Sequence, residues 1–143
     1  MSRKIAREVV MKLLYEREIS GEDQEESFRM LEQEFKLNEK DKEYVYDILT
    51  GAKLYQQQLD DYISKYSRGW NINRIAKVDL AILRLALYEI IHRDDIPPGV
   101  SINEAVELAK KYGGHKTSSF INGILGSFIR NENICKVEEP KEV

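Results

Sequence analysis

IAKVDLAILRLALYEII, residues 75 to 91, is the stretch whose reading decides the fold. Ile75, Val78, Ile82, Leu83, Leu85, Ala86, Tyr88, Glu89 and Ile90 fall at helical spacing, and the segment is the most apolar of the chain. A helix that is apolar nearly all round needs neighbours on every side, so this one is expected at the centre of a helical domain.

The chain on either side reads in the same period. Upstream, SRGWN (67–71) is a turn, preceded by a periodic run through Tyr44, Val45, Ile48, Leu49, Ala52, Tyr55, Leu59, Tyr62, Ile63 and Tyr66. Asn38 and Asp41 are spaced as a capping box opening that run, and Gly51 is expected to kink it without ending it. Before it, Phe28, Leu31 and Phe35 mark an acidic helix of about three turns. ISGEDQ (19–24) separates that helix from a first one over Arg3 to Glu18. Its apolar face is Ile5, Ala6, Val9, Val10, Leu13 and Leu14, with Lys4, Arg7, Met11 and Tyr15 on one flank.

Downstream, the prolines of DDIPPGV (94–100) predict a loop. Ser101 and Glu104 then read as a capping box, AVELAKKY (105–112) as a short helix and Gly113–Gly114 as its stop. A last helix carries Phe120, Ile121, Ile124, Leu125, Phe128 and Ile129. With no strand-like alternation, the expectation is an all-α fold of six to seven helices in two small bundles sharing a core. Residues 1–131 form the domain, and 132–143 a polar, flexible tail.

Composition narrows the function. The chain has 143 residues, 42% hydrophobic and 33% charged, enough for one domain with a core. No apolar run is long enough to span a bilayer and no signal peptide is recognisable, so a cytoplasmic protein is expected. The single cysteine, Cys135, cannot form an intrachain disulfide. The net charge of −3 argues against coating nucleic acid by bulk positive charge. Its distribution is uneven, however: residues 1–12 hold four basic groups against one acidic, and residues 16–47 twelve acidic against five basic.

GGHKTSSFINGILG (113–126) has the look of a phosphate loop and fails as one. His115 separates Gly114 from Lys116, residue 109 is alanine, and a helix precedes it where a strand is required. The glycines read instead as a helix stop and Thr117 or Ser118 as a cap, which leaves Lys116 exposed at a helix N-terminus. His92 and His115 have no carboxylate or histidine at ligand spacing, so no metal or other cofactor is expected. No serine stands in a nucleophile elbow, and nothing demands an enzyme. What remains is a basic helix start, Arg3, Lys4 and Arg7, and an aromatic, Phe120, with Asn122 beside it. Guanidinium groups grip phosphate, and an exposed aromatic stacks on unpaired bases. Periodicity alone slightly favours Phe120 as core over a rim aromatic.

These residues lead to a resemblance. ARE (6–8) with LY (14–15), VDLAILRLALYEI (78–90), IPPGVSINEAVELAKKYGG (96–114) and FINGILG (120–126) together resemble the NusB family of bacterial transcription antitermination factors, over nearly the whole chain. The resemblance implies a non-enzymatic factor that binds the boxA segment of nascent single-stranded RNA. It implies a heterodimer with the small-subunit ribosomal protein called NusE in this role, and a larger complex with other Nus factors and RNA polymerase, also in ribosomal RNA transcription. By position it assigns RNA contacts to Arg3, Lys4, Arg7 and Phe120; Lys116 stands where relatives often carry an acidic or polar residue and is expected to add phosphate attraction, and Asn122 to offer its amide to a base edge. It turns Tyr15 and Asp79 toward the ribosomal protein, with Arg84 and Tyr88 as further candidates. A homodimer of the free protein hiding the basic face stays open. The rival class is a helical adaptor that binds only protein; a cytosine methyltransferase carrying this module is not expected, for want of a βαβ pattern or cofactor loop.

Overall fold

The computed structural model describes residues 2–22 and 25–134. They form seven α-helices: α1 (Ser2–Ser20), α2 (Glu25–Glu34), α3 (Glu39–Leu54), α4 (Gln56–Tyr66), α5 (Lys77–His92), α6 (Pro98–Tyr112) and α7 (His115–Asn131). A single 3-10 turn, Ile72–Arg74, precedes α5, and there is no strand among the described residues. Among the described residues no helix is long and apolar enough to cross a membrane.

The central helix is where its composition puts it. Every residue of α5 from Asp79 to Ile90 is buried. Helices α1 and α3, which pack on each other, and α4, α6 and α7, with α7 against both α4 and α6, all pack against it, while α2 docks on α1. The two groups share one core, in which Val9, Val10, Ile48, Leu83, Leu87, Ile121 and Leu125 lose essentially all solvent contact. Helix α2 itself has no buried residue. Its Phe28 meets Tyr46 of α3 edge to face at 5.1 Å, a shallow attachment.

Local details both follow and depart from the sequence expectations. Asn38 does cap α3, its side chain accepting from the Asp41 amide at 2.8 Å while Asp41 accepts from the Asn38 amide. The long run that follows is broken at Tyr55, not merely kinked at Gly51. Gly51 serves packing instead: a Cβ there would lie 2.2 Å from the Tyr88 ring, so α3 and α5 approach as closely as they do only because the side chain is missing.

The Ser101–Glu104 capping box does not form. Helix α6 starts four residues earlier, with Pro97 as N-cap and Pro98 in the first turn, because a proline there lacks only an amide that the helix would not use and its φ is already helical. Ser101 is thereby inside the helix and buried, free to donate to Glu89. Gly114 supplies the left-handed residue (φ +94) between α6 and α7. Thr117 and Ser118 are not caps; their hydroxyls donate backward to the carbonyls of Gly113 and His115.

Residues 132–134, placed in the tail from sequence, make contacts with the helices. Glu132 accepts from Lys65 at 2.8 Å and from the Tyr66 hydroxyl, and Ile134 packs against the core. Residues 135–143, including Cys135, lie outside the described residues.

Candidate nucleic-acid interface

The basic start of α1 is divided by its surroundings. Arg7 is 5% exposed and grips Glu89 of α5 through Nε (2.7 Å) and Nη2 (3.1 Å). Burial works against its charge, but the bonds to Glu89 prevail and hold its pKa above the ordinary arginine value. The same carboxylate accepts from Ser101 Oγ at 2.7 Å and from the Tyr44 hydroxyl. Glu89 thus pins α1, α3 and α6 to the central helix. Arg7 belongs to that buried network and is withdrawn from the RNA-facing set. Arg3 lies over the Tyr44 ring, 4.5 Å from its centre. Lys4 remains largely exposed, in a 3.2 Å pair with Glu104 of α6.

Two of the residues assigned to a protein partner also turn inward. Arg84 is 7% exposed; it donates to both oxygens of Asp60 and, at 2.6 Å, to Glu18. Tyr88 donates to Asp47 at 3.0 Å, and burial together with that bond pushes its hydroxyl up to about 12. Both tie helices together and offer no exposed group. His92 is likewise engaged, stacked between Tyr55 and Tyr88 with Nε2 2.9 Å from Gln58.

Tyr15 and Asp79 differ. Tyr15 is 42% exposed and, with Met11, Lys12, Val78 and Tyr112, lines a shallow groove between α1, α5 and α6. Asp79, in the first turn of α5, is buried with Oδ1 lacking any hydrogen-bond partner, and burial alone raises its pKa. It lies on the wall of a second hollow, next along the surface, which also holds Lys116 and Phe120.

The start of α7 forms the other half of the site. Lys116 is exposed in its first turn and makes no ion pair among the described residues. Phe120, one turn on, is half-buried: it packs on the core while its ring lines the hollows on either side. Asn122 is exposed on a different side of α7, in a groove shared with Asn103 of α6. Lys4 pairs with Glu104 of α6, and Asn122 shares its groove with Asn103 of the same helix.

The neighbours of Phe120 were not singled out by sequence reasoning. Trp70, in the turn before α5, meets it edge to face at 6.1 Å and is 54% exposed. Arg68, Arg74 and Arg130 surround the pair. A tryptophan following Ser-Arg-Gly in a turn was the available signal, since a turn has no core face in which to hide an indole.

A model of the NusB family matches residues 4–130. The chain belongs to the NusB family. Its similarity to the transcription antitermination protein NusB of Acetivibrio thermocellus is 52% identity, covering 91% of this chain and 90% of that one. The fold matches T. maritima NusB with a TM-score of 0.83 at 36% identity, over 92% of each chain. It also matches a NusB solved with NusE and double-stranded RNA, with a TM-score of 0.80 at 29% identity, over 90% of this chain and 96% of that one. NusB proteins are transcription antitermination factors and not enzymes, which agrees with a site built of aromatic rings and unpaired cations.

Proposed function

We propose that this chain binds boxA-type single-stranded RNA jointly with NusE in the cytoplasm and helps to load an antitermination complex on RNA polymerase. Residues 1–131 act as one RNA-binding domain. The observation that carries the reading is Lys116, exposed and unpaired at a helix N-terminus with the half-buried ring of Phe120 one turn away. Such a pair supplies one phosphate contact and one stacking surface, the elements of single-strand recognition. Lys4 and Arg3 extend the positive surface, and Asn122 offers an amide for a base edge. The solved complex of a NusB with NusE and RNA supports a joint role. Tyr15, in an open groove with largely apolar walls, is the side chain best suited to the protein partner; Asp79, on the wall of the adjoining hollow, would have to be uncovered for its unpartnered oxygen to meet one.

Fluorescence titration with boxA-type and scrambled single-stranded RNA, with and without NusE, tests this. The boxA-type RNA is expected to bind more tightly, and more so when NusE is present. Equal affinity for both RNAs under every condition would leave only an adaptor that binds protein.

A further inference from the structure

Trp70 is the only tryptophan of the chain, and the turn that carries it holds it outward. Arg68 and Gly69 are both left-handed (φ +54 and +87), which reverses the chain after α4. The turn is fixed by the Ser67 hydroxyl, which donates to the Trp70 carbonyl at 3.0 Å, and by the Trp70 amide, which donates to the Ser67 carbonyl at 3.3 Å. The indole then stands against Phe120 of α7 with the ring planes 66° apart. Two shallow hollows open on either side of this aromatic pair and share both rings.

The exposed charge that lines the two hollows is positive. Arg68 and Arg130 border one hollow, Arg74 and Lys116 the other, and all four are exposed. None of the four makes an ion pair among the described residues, whereas Lys4, Lys65, Lys111, Arg84 and Arg93 all do. The acid on these walls is Asp79, whose carboxylate is buried. In a chain of net charge −3, four accessible cations around an exposed indole and a half-buried phenyl ring form a surface complementary to a polyanion carrying flat apolar groups.

We infer that Trp70 and Phe120 together form a stacking platform for unpaired bases of single-stranded RNA, with Arg68 and Arg130 on one side and Arg74 and Lys116 on the other receiving backbone phosphates. The inference rests on the RNA-binding reading above and extends the RNA path from the start of α7 across the turn before α5. Stacking tolerates any base, because every base has a π-face, so Trp70 adds affinity without choosing sequence.

The lone indole makes the test direct. A labelled boxA-type RNA dodecamer is titrated with the full chain while its anisotropy and the Trp70 emission are followed together. Trp70 emission is expected to be quenched in step with the rise in anisotropy. Trp70→Leu is expected to weaken binding about tenfold, as loss of one stacked base does, with Trp70→Phe retaining most of the affinity and the circular dichroism of both unchanged. Arg74→Gln and Arg130→Gln are each expected to lose a few-fold and to flatten the salt dependence. If the RNA binds but emission stays constant and Trp70→Leu binds as the parent does, the platform is refuted and the RNA-binding reading survives. If no anisotropy change occurs with either partner state, both fall. Emission that responds to NusE alone and never to RNA would make the platform a protein contact and overturn the inference.

Discussion

Two buried carboxylates on the same helix, Glu89 and Asp79, are treated in opposite ways by their surroundings. Glu89 accepts from Arg7, Tyr44 and Ser101, so its charge is matched and its oxygens are saturated. Glu89→Gln strands the Arg7 guanidinium in the interior and is expected to cost about 3 to 5 kcal/mol in urea unfolding, the usual loss when one partner of a buried pair is removed. Asp79 has no such partners. Its pKa in the folded chain is raised above the ordinary 3.8, so the folded state holds the proton more tightly than the unfolded one. Stability therefore falls as pH rises from that value through the folded pKa, and the penalty is complete at neutral pH. Asp79→Asn is accordingly expected to stabilise the free protein at pH 7 by up to about 1 kcal/mol, with the gain vanishing below pH 3.8. Equal gains at pH 7 and pH 3 would show that charge is not the cause. The contrast also marks where sequence reading ends: Arg7 looked like one of three cations on a helix start, and its partner lies 82 residues away. No local pattern reveals which of neighbouring cations is claimed by a distant acid.

At the scale of elements, helix type and order were legible because the apolar period is strong in α1, α3, α5 and α7. Boundaries were legible only where the chemistry is local, as at Asn38 and Asp41. At α6 two local signals competed, and the proline start prevailed over the serine cap because Ser101 is drawn to Glu89 on another helix. The α3–α5 crossing shows how a tertiary contact rewrites a local expectation. Gly51→Ala should gain about 1 kcal/mol from helix propensity alone. Here the new methyl collides with Tyr88, so a net loss of about 1 to 3 kcal/mol is expected. Combining it with Tyr88→Leu should recover part of that loss, giving a coupling energy in a double-mutant cycle; strict additivity would argue that the helices separate without cost. Helix α2, with no buried residue, is expected to exchange its amide hydrogens well before α5 does, and equal protection would contradict its shallow docking.

Across the whole molecule, charge sets where an RNA strand can run. The acidic stretch from residue 16 to 47 carries a net −7, while Arg68, Arg74, Lys116 and Arg130, without an ion pair among the described residues, form a cationic frame around Trp70 and Phe120. The half of this site on α7 was legible, since Lys116 and Phe120 lie four residues apart in one helix. The half contributed by the turn before α5 was not, because only folding brings Trp70 beside Phe120. Phosphate contacts and stacking contacts respond differently to salt, which allows the two to be separated. If roughly four phosphates are neutralised, log K for single-stranded RNA should fall with log salt at a slope of about −3. Lys116→Gln should reduce that slope by about 0.7 and leave the preference for boxA-type over scrambled RNA unchanged, since a phosphate contact carries no base information. Phe120→Ala should do the reverse, weakening binding with the slope preserved, and should cost little helicity because the ring is only half-buried. A slope that ignores Lys116, or one that collapses with Phe120, would mean that the strand crosses some other face of the protein.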